Sequence, residues 1–352
     1  MEIVHGDTPS YQRLRPLKPV RTEGFPVYQN LTDKLVSTAR HPNHECAHVL
    51  GTCAGYAYSD ADTVGMMMAR MGLEDNHCVM VAQYVDVMFI CSTAFLIQSR
   101  DGRVLVICYR GTTATSLINW LTDFDVYPQK IPIAFNDAPK TFDVHGGFYR
   151  NVRATRYEII NTVRRALEGQ SIKGGDKPAS MPHSLEALYV TGHSLGAAMA
   201  SMMAIMLTTE SAYRPIAEKL RAVYTFGQPM IGTPELAQAC NADEFLRERV
   251  IRYIYGNDTA PQLPPTASGE FAHFGQEYQY RTRGETGEWY HNSRPTKQLG
   301  NLVQLVTNPL TFFTRQIEIT RNLRFGPDIY DHLPHNYIAA LTPDGVQTEF
   351  GR

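Results

Sequence analysis

The pentapeptide Gly192-His193-Ser194-Leu195-Gly196 constrains this chain more than any other stretch. It has the form G-x-S-x-G. The apolar run of residues 185–191 before it reads as a buried strand. Residues 197–207 after it are rich in alanine and methionine, contain no glycine or proline, and read as a helix. A strand that turns this sharply into a helix forces the residue at the turn into strained backbone geometry. Its side chain is then left exposed above the sheet. The short pattern is common by chance; the strand before it and the helix after it are what make Ser194 a candidate nucleophile. Gly192 and Gly196 follow from the same turn, because a side chain there would collide with the neighbouring strand and helix.

A chain of 352 residues is long enough to bury a large core, as one α/β domain or two smaller ones. Hydrophobic residues make up 43% and charged residues 19%, and the formal net charge is −2. Such a balance implies neither nucleic acid nor an anionic membrane as an obligate partner. The six cysteines contain no C-x-x-C pair, and Cys91 and Cys108 fall inside expected strands, so buried free thiols are expected rather than a disulfide framework. Residues 1–7 show no basic start followed by an apolar stretch, and no apolar run is long enough to span a bilayer. A cytoplasmic protein is the default expectation, with export by another route left open.

Residues 1 to about 40 carry scattered prolines and charges and read as an extended arm, with a short strand near residues 25–28. Residues 43–73 show helical spacing of apolar positions, and residues 79–87 and 91–98 read as strands. Within the helical region, His44-Glu45-Cys46-Ala47-His48 has the form H-E-x-x-H. On a helix that form places two imidazoles on one face as zinc ligands, with a glutamate base between them. Pro42 just upstream puts the pattern at a helix start, and no third ligand follows at a fitting spacing. A solvated helix N-terminus is the competing reading.

Residues 93–98 and 103–109 form an expected hairpin that runs into Arg110-Gly111-Thr112-Thr113. A nucleophilic serine needs two donors aimed at the developing oxyanion. The amide of the next residue, Leu195, is one, and Gly111-Thr112 at the end of a neighbouring strand is well placed to supply the other. Residues 147–168 read as an amphipathic helix, 169–184 as a surface loop and 220–226 as a further parallel strand. The strand at residues 249–255 ends in Gly256-Asn257-Asp258, which puts a carboxylate on a loop where this architecture places a third catalytic group. Near the C-terminus both His332 and His335 qualify by position as a general base.

Several of these stretches together resemble one family. Tyr109-Arg110-Gly111-Thr112 with Trp120 and Asp123, Val144-His145-Gly146-Gly147-Phe148, Gly192-His193-Ser194-Leu195-Gly196, Thr225-Phe226-Gly227-Gln228-Pro229, the run from Asn257-Asp258 to Pro264-Pro265, and Asp331-His332 followed by Tyr337 occur in the order of the class 3 lipases. The similarity runs from about residue 93 to 342. It implies an α/β-hydrolase fold, a central mostly parallel sheet flanked by helices with a lid or cap insertion. It further implies Thr112 as an oxyanion residue oriented by Asp123, a lid within residues 113–140, His145 as a supporting residue, and His332 rather than His335 as the base. The chain order Ser194, Asp258, His332 is that of α/β-hydrolases.

The resulting expectation is a single domain over residues 1–352, with the arm and helices within residues 1–75. Residues 266–330 depart from the compact family pattern. Hairpin strands are expected at 271–280 and 284–289, and the apolar residues 299–313 are a candidate second cap. The activity implied is carboxylic ester hydrolysis, foremost of acylglycerols, through an acyl-enzyme and without a metal or organic cofactor. The substrate would be an ester or lipid, with transient contact at a lipid interface, and nothing in the sequence speaks to oligomeric state. Short-chain, feruloyl and phospholipid esters remain open as substrates. A non-catalytic binding protein of the same fold and a zinc hydrolase using His44 and His48 also remain open.

Overall fold

The computed structural model describes residues 26–85, 90–111, 128–135, 138–175, 179–283, 286–300 and 330–346. Its elements are α1 (Leu31–Ser37), α2 (His44–Tyr56), α3 (Ala61–Met71), β1 (His77–Val85), β2 (Ile90–Gln98), β3 (Val104–Tyr109), β4 (Pro128–Phe135), β5 (Ala138–His145) and α4 (Gly146–Leu167). There follow β6 (Ala187–His193), α5 (Leu195–Thr209), β7 (Leu220–Phe226), α6 (Pro234–Ala242), α7 (Glu244–Arg249), β8 (Val250–Tyr255), β9 (Gln276–Arg283), β10 (Thr286–His291) and α8 (Pro334–Leu341).

One sheet runs in the order β1-β2-β3-β6-β7-β8-β9-β10. β3, β6, β7, β8 and β9 are mutually parallel, with antiparallel strands at both edges. The parallel strands step across the sheet in one direction. Right-handed crossovers then place every connecting helix on the same face. Residues of α4, α5, α6 and α7 accordingly share one core cluster with Leu105, Ile107, Leu188, Val190 and Val223. That leaves the opposite face bare, and the N-terminal segment supplies its cover. α1, α2, α3 and α8 pack on Val104, Val106, Cys108, Tyr189, Tyr224 and Phe226. Alternate residues of each strand thus serve the two layers, and β3 and β6 are buried along their whole length.

α5 is the most enclosed helix of this core, with every residue from Leu195 to Leu207 buried. Its small residues let it approach the sheet closely, as its contacts with β6, β7 and β3 require. No single helix among the described residues is long and apolar enough to cross a membrane.

Two expectations are corrected by these elements and a third is placed. Residues 31–37, read as part of an extended arm, are helical, and Leu31 and Leu35 are buried in the core under α2 and α3. The part of the candidate lid from residue 128 onward belongs to an antiparallel ribbon, β4 with β5, which feeds directly into α4. Residues 276–283 and 286–291 form a hairpin where strands were expected at 271–280 and 284–289, and they extend the main sheet by two strands. The reason is a buried ion pair in register. Arg252 of β8 faces Glu277 of β9 at 3.0 Å, each 1% exposed. Glu277 also accepts from Asn292 Nδ2 at 2.7 Å and Thr296 Oγ1 at 2.9 Å. Removing one partner of such a pair costs about 3–5 kcal/mol, so the pair holds β9 firmly beside β8. The rest of the candidate lid, 113–127, and residues 301–313 of the candidate second cap lie outside the described residues. Among the described residues, Cys46, Cys53, Cys78, Cys108 and Cys240 are free thiols.

The core also carries a pH signature. His48, His145 and His193 are buried, and burial above all lowers their pKa values to about 4, about 3 and about 3 from 6.5. Above pH 6.5 they are neutral in both folded and unfolded chains. Below it the unfolded chain takes up protons that the folded one refuses, so stability falls as the pH falls. Each contributes a loss on the order of 2 kcal/mol by pH 5. Thermal melts should show Tm level from pH 7.5 to about 6.5 and decreasing from there to pH 4.5, and a flat profile over that lower window would contradict the buried-neutral assignment.

Candidate active site

β6 ends at His193, and Ser194 forms the turn into α5 with φ 60° and ψ −126°. A non-glycine residue there carries strain of about 1–3 kcal/mol and persists only where its surroundings enforce it. Enforcement comes from both sides. The Ser194 amide donates to the Phe226 carbonyl of β7 at 2.9 Å, and Ala197 N donates to Ser194 O at 3.0 Å. A Cβ on Gly192 would lie 2.4 Å from Gly196 C, and one on Gly196 would lie 2.2 Å from Tyr109 O. The two glycines are therefore the condition for the helix to leave β6 at this angle. Leu195 opens α5, so its amide is among the first-turn donors that no helical carbonyl satisfies.

Asp258 sits on the loop after β8 and is buried. Its Oδ2 lies 2.8 Å from His332 Nδ1 and accepts from Tyr337 Oη at 2.5 Å, while Oδ1 accepts from Ala260 N at 2.9 Å. Burial alone would raise its pKa. The charge and hydrogen bond of His332, the Tyr337 phenol and the Ala260 amide outweigh burial and hold the carboxyl below the usual carboxylate range. The Tyr337 phenol is pushed well above its ordinary value, by burial first and then by Asp258, so it stays a donor. With Nδ1–H given to the carboxylate, the bare Nε2 of His332 is left to accept a proton.

The loop holding His332 is braced from several directions. Asp331 Oδ2 accepts from Asn257 N at 2.8 Å, Asn336 Nδ2 donates to Tyr330 O at 2.6 Å, and His193 Nε2 lies 2.7 Å from the His332 carbonyl oxygen. Ser194 Oγ and His332 Nε2 are both buried and make no hydrogen bond within the described residues, to each other included. Such contacts often tighten only when substrate is bound. A serine hydroxyl, an imidazole with a bare nitrogen and a buried carboxylate behind it are the parts that nucleophilic catalysis by serine requires.

The other sequence candidates fall as follows. Thr112 and Asp123 lie outside the described residues, and Gly111 is the last described position before them. His145 caps α4, its ring stacked on Phe148 at 3.8 Å between centroids. His335 packs edge-on against Tyr330 at 5.6 Å, away from the hydrogen bonds of Asp258. The zinc reading loses its geometry. His44 is exposed, whereas His48 is buried with Nδ1 3.0 Å from Tyr28 Oη and Nε2 3.4 Å from Thr342 Oγ1. Glu45 pairs with Lys34 at 2.7 Å. Among the described residues no group of three or more His, Cys, Asp or Glu side chains is arranged to hold a metal.

Gly227 is a site residue that sequence reasoning leaves without a role. At φ +60°, a Cβ there would lie 2.8 Å from Asp258 Oδ2 and 2.9 Å from His332 Nδ1. Its signal was present in Thr225-Phe226-Gly227-Gln228, but only the packing shows what the glycine faces. Gly227→Ala should push the Asp258–His332 pair apart and lower kcat/KM for any reaction that uses this pair by about 100-fold. Kinetics on a variant whose melt confirms folding would decide it, and activity within a few-fold of wild type would show that the pair does not depend on this gap.

Comparison with known proteins adds family and fold. The family model described as lipase (class 3) matches residues 106–268. The chain is 26% identical over 314 residues to triacylglycerol lipase OBL1 of Ricinus communis, covering 74% of this chain and 57% of that protein. It is 25% identical over 178 residues to phospholipase A1-II 1 of Oryza sativa subsp. indica, covering 46% and 40%. The chain thus spans about half the length of the curated relatives it matches. Among solved structures, the lipase of Rhizopus microsporus var. chinensis superposes with a TM-score of 0.53 at 19% identity, over 74% of this chain and 83% of that one. That likeness speaks to the fold, which is the α/β-hydrolase fold. The segment that carries the Ser194 turn and the Asp258 loop, residues 106–268, thus matches the class 3 lipases in the family's order.

Proposed function

We propose that this protein is a serine carboxylic ester hydrolase acting on acylglycerol esters. The observation that carries the reading is the buried Asp258–His332 pair lying behind a serine held in an elbow between β6 and α5. Ser194 Oγ attacks the ester carbonyl as its proton passes to His332 Nε2. The Leu195 amide and, by family resemblance, Thr112 hold the oxyanion. Collapse expels the alcohol, which takes the proton back from His332, and an acyl-Ser194 ester remains. Water, deprotonated by the same nitrogen, then releases the acid. Asp258 keeps the imidazole in its Nδ1–H tautomer and stabilises the imidazolium without taking its proton. Every step uses side chains and amides of the chain itself, so the chemistry calls for no metal or organic cofactor.

The Ricinus relative's name supports the acylglycerol substrate, and the rice phospholipase favours phospholipid esters as the second reading. In either case the partner is a lipid ester met at an interface. The test is hydrolysis of a graded series of p-nitrophenyl acyl esters, followed by triacylglycerol and phosphatidylcholine emulsions. Turnover rising with chain length and greatest on triacylglycerol is the expected result. Turnover confined to phosphatidylcholine would move the assignment to the second reading, and no turnover on any ester would remove the hydrolase reading.

A further inference from the structure

His193 lies directly before Ser194 and is buried, and none of the chemistry above uses its ring. Its Nε2 is 2.7 Å from the main-chain carbonyl oxygen of His332, and its Nδ1 is 2.8 Å from the Tyr58 hydroxyl. A carbonyl oxygen only accepts, so Nε2 carries a proton. Burial, and after it the neighbouring His332, push the pKa of His193 down to about 3, so the ring is neutral at ordinary pH. A neutral imidazole has one N–H, which leaves Nδ1 bare and makes the Tyr58 hydroxyl the donor. The two neighbours therefore specify one tautomer from opposite sides.

We propose that Tyr58 and His193 form a positioning relay for the candidate base, in which the tyrosine hydroxyl holds His193 as its Nε2–H tautomer and that N–H pins the main chain of His332. The opposite tautomer would turn a bare nitrogen toward a carbonyl oxygen and leave the tyrosine proton facing an N–H, so it loses both bonds at once. The relay also reaches the oxyanion side of the site. A Cβ built on Gly111 would stand 2.2 Å from Tyr58 Oη and 2.5 Å from the His193 carbonyl oxygen. Tyr58 therefore packs on the chain immediately before Thr112. The rings of His193 and His332 lie 4.6 Å apart, so a shift of one is felt by the other. Tyr58 comes from the connection between α2 and α3, before residues 106–268 that carry the family pattern. The N-terminal helices thus do more than cover a sheet face: they deliver the hydroxyl that sets the relay.

The kinetic consequence rests on the hydrolase reading; the tautomer does not. Tyr58→Phe keeps the ring and removes only the hydroxyl. In the full chain, 15N spectra of labelled histidine should show His193 as Nε2–H in wild type, with a bare Nδ1 whose shift moves to that of a nitrogen without a hydrogen bond in Tyr58→Phe. In parallel, kcat on the best ester should fall about tenfold with KM little changed. A glutamine side chain can donate its amide to the same carbonyl but has no tautomer to lose. In a His193→Gln background, Tyr58→Phe should therefore cost less than about twofold, a coupling that loss of stability alone would not produce. An Nδ1–H tautomer in wild type, an Nδ1 shift unchanged in Tyr58→Phe, or an equal penalty in both backgrounds would overturn the proposal. If His193→Gln is too slow to assay, the spectra decide alone. Ester hydrolysis surviving in Ser194→Ala would remove the hydrolase reading while leaving the tautomer result to stand or fall by itself.

Discussion

Ser194→Ala is expected to lower kcat/KM for ester hydrolysis by about 10⁴-fold or more, the largest effect of any single substitution in this chain. The hydroxyl is the only atom removed, and without it no acyl-enzyme forms, whereas the Leu195 amide and the Asp258–His332 pair stay in place. Residual turnover would then come from water attacking a carbonyl already held by the oxyanion donors. The strained backbone at φ 60° is unchanged by the substitution, because alanine bears the same Cβ and the Ser194 amide still bonds Phe226 O. A melt like that of wild type should therefore accompany the loss. Burst kinetics with a p-nitrophenyl ester give the sharper reading: wild type should release one equivalent of nitrophenol rapidly if deacylation is slow, and the variant none. Activity retained within about tenfold would place the nucleophile elsewhere and end the serine mechanism.

The second large effect is expected from Asp258→Asn, about 10³–10⁴-fold in kcat with little change in KM. The side chain keeps its shape, so the loop after β8 has no steric reason to move. What changes is the proton inventory around the imidazole. The carboxylate accepts from His332 Nδ1 and from the Tyr337 phenol through the same Oδ2. An amide there offers one acceptor and one donor where two acceptors stood. With its NH₂ toward Nδ1, the imidazole takes the Nε2–H tautomer and has no lone pair for the serine proton. With its oxygen toward Nδ1, that oxygen still accepts from Tyr337, but the NH₂ then faces the Ala260 N–H, donor against donor, and the imidazolium loses its counter-charge. Either outcome slows proton transfer rather than binding, so the split between kcat and KM distinguishes it from a loop that has simply come loose. A variant with full kcat would show that His332 is oriented without this carboxylate.

Parts of this site are legible in the linear sequence because they are local. The elbow needs a small residue two positions either side of Ser194, an apolar strand before it and a helix former after it, and all lie within about 25 residues. Asp258 and His332 can be nominated because strand ends and chain order limit where they stand in this architecture. Gly227, Tyr58 and His193 are different. Each is an unremarked residue until the fold brings a partner from far along the chain, 135 residues away for Tyr58 and His193 and 139 for His193 and His332. Residue type says that a tyrosine hydroxyl or an imidazole seeks a partner; it does not say which one.

The same division runs through the fold. Periodicity and the turn residues determine that this chain alternates strands and helices, with β3 and β6 buried on both faces and α5 apolar all round. Those are local hydrophobic patterns, set by which side chains must leave water, and the sequence carries them by itself. What only the tertiary structure decides is the destination of segments whose pattern is ambiguous. Residues 271–280 and 284–289 read as hairpin strands, but nothing local says which sheet they join. They join the main sheet because Glu277 finds Arg252 across the register, and a buried charge is tolerated only with its partner in place. Residues 31–37 look like an arm and become a helix because the sheet's second face has apolar surface to cover. The sequence determines what each residue needs, whereas three-dimensional packing decides which distant residue supplies it, since pairing energy depends on distance in space and not along the chain.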